Sequence, residues 1–71
     1  MGLLDKIEDL QATMNQSVDL VAETQSLAIV LGSTPNDEMP GKLNSLLELC
    51  TESITKLNNA LEQIEEIQNI V

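Results

Sequence analysis

The chain has 71 residues and a formal charge of −9, from twelve acidic residues against three Lys or Arg, with no histidine, no aromatic residue and one cysteine. One domain at most fits this length, and a chain so short buries only about 60% of its unfolded surface when it folds alone. A single cysteine excludes an intrachain disulfide and, without histidine, a zinc site of the usual kind, so a partner subunit is the stabilising device left to it.

Met1 and Gly2 lead into Leu3, Leu4, Asp5 and Lys6, which lack the n-region and h-region of a secretory signal, and Lys6 stands where a myristoylation motif has Ser or Thr. The longest apolar run, Leu27 to Leu31, is far shorter than the 18 or so residues of a membrane span. A soluble, cytoplasmic chain is the expectation, and the lone thiol agrees with it.

A first helix is expected over about residues 3–31. Its apolar stripe begins at Leu3, Ile7, Leu10 and Met14 and drifts through Ser17, Val18 and Val21 towards Ala28 and Leu31. The polar stretch Thr13, Asn15, Gln16 and Ser17 is its weak point. Thr13 with Gln16 has the form of a capping box, which would kink the helix or break it near residues 13–17. Leu27 to Leu31 also has the composition of a short strand, but the chain holds no strand to pair with it.

Gly32 stands where a left-handed C-cap is expected, and residues 32–41 form the connection. Thr34, Pro35, Asn36, Asp37 and Glu38 have the order of an N-cap, a first-turn proline and first-turn acids, so a single helical turn fits there. The same segment is an exposed tip, whose simplest reading is a structural connection. Met39 belongs to it, and Met14 to the helix-one stripe, which leaves little reason to read Met1, Met14 and Met39 as a pliable binding face.

The second helix is expected over about residues 40–70, with Pro40 in its first turn. Leu43, Leu47, Cys50, Ile54, Leu57, Leu61, Ile64 and Val71 follow alternating steps of four and three, interrupted at Gln68. That is the pattern of a helix packed lengthwise on another helix. Leu46, Ser53, Ala60 and Ile67 add a row beside it, making a face wide enough for a bundle.

Two helices of equal length and a short connection predict an all-α antiparallel hairpin in which position i of the first helix faces about position 73 minus i of the second. At the turn end this sets Leu27, Ile29, Val30 and Leu31, with Ala28, against Leu43, Leu46, Leu47, Leu49 and Cys50. A helix apolar all round needs neighbours on several sides, so Leu27, Ile29, Val30, Leu31, Leu43, Leu46, Leu47 and Leu49 are the expected oligomer interface. The simplest assembly is a homodimer of hairpins forming a four-helix bundle. At the other end Asp5, Glu8, Asp9, Glu62, Glu65 and Glu66 form an acidic pole beside Lys6, a solvated surface in its simplest reading and a docking site for a basic protein in its sharper one, with a divalent cation a third occupant.

No constellation carries a reaction. Cys50 is expected to be a small buried side chain, since the nearest charges in sequence are Glu48 and Glu52 and a reactive thiolate needs a cation or a helix N-terminus. Carboxylates are many, but no His, Arg or aromatic group is there to orient a substrate. The expectation is a non-enzymatic protein without cofactor or metal that acts by protein–protein contact as an adaptor, regulator or assembly component. Two rival readings are an acidic inhibitor filling the basic groove of a nucleic-acid-binding protein, and a hairpin subunit or chaperone of a secretion or filament assembly. The net charge argues against direct contact with nucleic acid.

Overall fold

A computed structural model describes residues 2–71; Met1 lies outside the described residues. Two helices, α1 (Leu3–Leu31) and α2 (Met39–Ile70), pack along their whole length as an antiparallel hairpin. The chain measures 53 × 14 × 14 Å. Its radius of gyration of 16.3 Å exceeds the roughly 11 Å expected for a globular chain of this length.

Helix α1 runs unbroken through the polar stretch. Thr13 Oγ1 donates to the Asp9 carbonyl at 3.1 Å and Ser17 Oγ to the Thr13 carbonyl at 2.9 Å. Hydroxyls bonded back to the preceding turn have no need to cap a new helix, so neither the capping box nor the break forms. Leu27 to Leu31 are the last turns of α1, not a strand.

The end of α1 departs from expectation in one detail. Gly32 has φ −62° and ψ −22°, right-handed rather than left-handed. Backbone amides of Gly32, Ser33 and Thr34 donate to the Ile29, Val30 and Leu31 carbonyls at 3.2, 3.1 and 3.2 Å. The Thr34 hydroxyl adds a bond to the Val30 carbonyl at 2.8 Å. With the terminal carbonyls answered by this tightened turn, a left-handed residue is unnecessary. Thr34 therefore points back into α1 and does not cap the next segment. Amides of Glu38 and Met39 close a turn on the Pro35 and Asn36 carbonyls at 3.0 and 3.3 Å, and α2 starts there, one residue ahead of Pro40. Proline is harmless so near the start, where its missing donor has no intrahelical acceptor.

The seam between the helices is a heptad row in each. Leu10, Thr13, Ser17, Leu20, Thr24, Leu27 and Leu31 of α1 are buried or half-buried, as are Leu46, Leu49, Ser53, Lys56, Ala60, Gln63 and Ile67 of α2. The row of α2 that meets α1 is thus the one through Leu46, Ser53, Ala60 and Ile67. The richer row from Leu43 to Ile64 stands beside it and faces outward. Four leucines of α1 share one stripe, and the facing row of α2 mixes Leu46, Leu49 and Ile67 with the small Ser53 and Ala60 and the flexible Lys56 and Gln63. Ser17 at 3% exposure and Ser53 at 8% are buried without loss, because each hydroxyl bonds the carbonyl four residues earlier. Ala60 is the single buried apolar residue among those described.

Two substitutions test this account. Gly32→Ala, with helical φ and its new methyl in ordinary contact with the Ile29 carbonyl at 3.4 Å, is expected to stabilise the chain by about 0.4–1 kcal/mol in urea denaturation. A left-handed cap would make the same change destabilising. Gln63 Oε1 is buried without a hydrogen-bond partner, so Gln63→Leu is expected to raise stability by about 1 kcal/mol.

Candidate interaction surface

A residue that follows a seam position is turned by about 100° around the helix. In an antiparallel pair this rotation carries the next row of both helices to the same side. On that side α1 presents Ile7, Gln11, Met14, Val18, Val21, Gln25 and Ala28, and α2 presents Leu43, Leu47, Cys50, Ile54, Leu57, Leu61 and Ile64. Neither row contains a charged residue. Between them lies an open groove of about 530 Å³, lined by Val21, Thr24, Gln25, Ala28, Cys50, Ser53 and Ile54.

Side chains that a monomer would cover are uncovered here: Leu47 is 65% exposed, Val18 63%, Ile54 59% and Leu61 57%. A compact chain of 7.7 kDa is expected to expose about 4,300 Å². This one exposes 5130 Å², an excess of about 800 Å².

The opposite side is polar. Rows that precede the seam carry Asp9, Asp19 and Glu23 on α1 and Glu48, Glu52, Glu62 and Glu66 on α2, all exposed. The hairpin is therefore two-faced, one side apolar and one acidic.

The residues expected at the turn-end interface divide between these surfaces. Leu27, Leu31, Leu46 and Leu49 are half-buried in the hairpin's own seam, whereas Leu43 and Leu47 lie on the open apolar face. Ile29, 73% exposed, points away from the seam, and Val30 faces the polar side. Cys50 corrects the expectation of burial: its thiol is exposed and lines the groove, because α1 packs on the neighbouring row of α2.

All six residues of the acidic pole, Asp5, Glu8, Asp9, Glu62, Glu65 and Glu66, are exposed at the open end of the hairpin. Lys6 Nζ donates to Glu66 Oε2 at 3.1 Å, within one residue of the expected register. Asp9 and Gln63 share that recess. Among the described residues no three acidic or cysteine side chains are grouped to hold a metal ion, and no helix is long and apolar enough to cross a membrane. Compared with protein-family models, curated proteins and solved structures, the chain matches none.

What sequence reasoning missed is the outward-facing row of α1. Its signal lies in Met14, Val18 and Val21, three apolar residues at heptad spacing one step beyond Thr13, Ser17 and Leu20. The acidic end separates two neighbours by their partners: Glu65→Lys relieves an unfavourable charge at the C-terminus of α2 and is expected to add about 0.3–1 kcal/mol. Glu66→Lys removes the Lys6 pair, worth up to about 1 kcal/mol, so little net change is expected. Thermal melts of both single variants at low salt check the difference.

Proposed function

We propose that this chain works by protein–protein contact, as a self-associating helical hairpin serving as an adaptor, regulator or assembly component, with a dimer as its favoured state. The supporting observation is the uncharged apolar face that runs the length of the hairpin, with an exposed surface excess of about 800 Å², close to what one partner contributes to a standard interface. A buried leucine is worth about 1.5–3 kcal/mol, so leaving this face wet would forgo much of a small domain's stability. Acidic residues on the other side keep the assembled particle soluble and leave a surface for a basic protein.

Sedimentation equilibrium tests the reading. At micromolar concentration the wild-type chain is expected at twice its monomer mass, and Leu61→Lys, a change on the open face, is expected to leave a monomer. The Cys50 thiol gives an independent measure: its labelling is expected to slow as chain concentration rises, because the groove it lines is covered on association. A wild-type monomer of full helicity, labelled at one rate at every concentration, overturns the proposal.

A further inference from the structure

The two apolar rows read nearly alike from either end. About Val18, Gln11 and Gln25 stand seven residues off on either side, and Met14 and Val21 four and three. About Ile54, Leu47 and Leu61 stand seven residues off, and Cys50 and Leu57 four and three. Any heptad row has mirror positions, but nothing in a heptad makes two glutamines mirror one another. Nor does it place both centres near one height, within about a helical turn, as they are here. Lys6 meets Glu66, and Val18 and Ile54 each lie twelve residues from that pair towards the turn, which puts them at similar heights along the hairpin, to within about a helical turn.

We infer that a second copy of this chain seats on the open face with its turn at the opposite end, related by a two-fold axis that crosses the face at Val18 and Ile54. The inference rests on the self-association proposed above and specifies its geometry. Helix α1 then lies on α1 and α2 on α2, each pair antiparallel. Leu47 of one copy meets Leu61 of the other, Cys50 meets Leu57, and Ile54 and Val18 meet their own copies. Gln11 meets Gln25, amide to amide, so the glutamines of the two copies satisfy each other.

The other two-fold arrangement, with both turns at one end, stacks α2 on α1. It sets Leu47 against Gln25 and Leu61 against Gln11, which strips water from both amides and offers them no partner. It also joins like charges. The open end holds Asp5, Glu8, Asp9, Glu62, Glu65 and Glu66 against Lys6, whereas the turn end holds Asp37 and Glu38 against Lys42. Opposed turns keep the two strongly acidic ends about a hairpin's length, 53 Å, apart, beyond the reach of Coulomb repulsion in salt. The face is isologous, as a closed dimer requires.

Cysteine cross-linking separates the arrangements. In a Cys50→Ala background, Ile54→Cys and Val18→Cys are each expected to form a covalent dimer under mild oxidation, since both positions lie on the axis. Native Cys50 is expected to remain uncross-linked, its two copies about 12 Å apart along the helices, beyond the roughly 7 Å a disulfide tolerates. A second pair of variants guards against misfolding of the first. Gln11→Glu and Gln25→Lys are each expected to lower the melting temperature, and the double variant to recover most of the loss. The two positions are about 21 Å apart on one α1, so recovery can pass only between copies. A dimer by sedimentation in which neither position cross-links and the double variant recovers nothing overturns the geometry and leaves self-association standing. A monomer by sedimentation overturns both.

Discussion

Two parallel cylinders touch along one line each, and this chain has more apolar surface than one line can hide. Every other feature of the hairpin follows from how that shortage is managed. The line of contact is assigned to the row with smaller residues, and the stronger apolar row of α2 is left outside. Beside the buried Ser17, Ser53 and Ala60 on this line, Leu10, Leu20, Leu27 and Leu31 of α1 and Leu46, Leu49 and Ile67 of α2 are half-buried. No large side chain is fully buried among the described residues, so cohesion inside the hairpin is thin. Several large apolar side chains are still in contact with water in the single chain.

Polar groups in the seam are tolerated because helix geometry supplies their partners. Ser17, Thr24 and Ser53 donate to carbonyls one turn back at 2.9, 2.7 and 2.8 Å, and none of them asks anything of the facing helix. Such bonds hold equally well in an isolated helix. They remove a penalty without adding specificity, so the register of the hairpin depends on the leucines and on the short connection. The Lys6–Glu66 pair, with Glu66 largely exposed to water, adds little to it.

Charge complements this division. All twelve acidic residues stay off the two rows of the open face, and the side opposite takes most of them. Repulsion among them is eased by water on the polar side and would be severe within an apolar contact. Segregation of this kind makes one face adhesive and the other repulsive. In the proposed pair, the repulsive surfaces point outward and the acidic ends are held apart.

Helix limits, the place of the turn and the absence of strands among the described residues were legible in the residues themselves: Leu3–Leu31 and Met39–Ile70 lie within a residue of the bounds that apolar periodicity, Gly32 and Pro40 imply. Local chemistry decides such things, because a helix and its ends depend on neighbours a few positions away. The end of α1 was misread only in its handedness, where Thr34 and a tightened turn did the work expected of a left-handed glycine. The sequence alone also determined that α2 carries an apolar seam from Leu43 to Ile64. Which helix that seam serves was decided by tertiary structure alone. Periodicity names a face that packs against a helix and is silent on whose helix it is, and the two candidate rows of α2 differ by a single residue step, about 100° of rotation. Only the packing of α1 on Leu46, Ser53 and Ala60 broke that tie, exposing Cys50 and leaving Val18 and Ile54 on one open face.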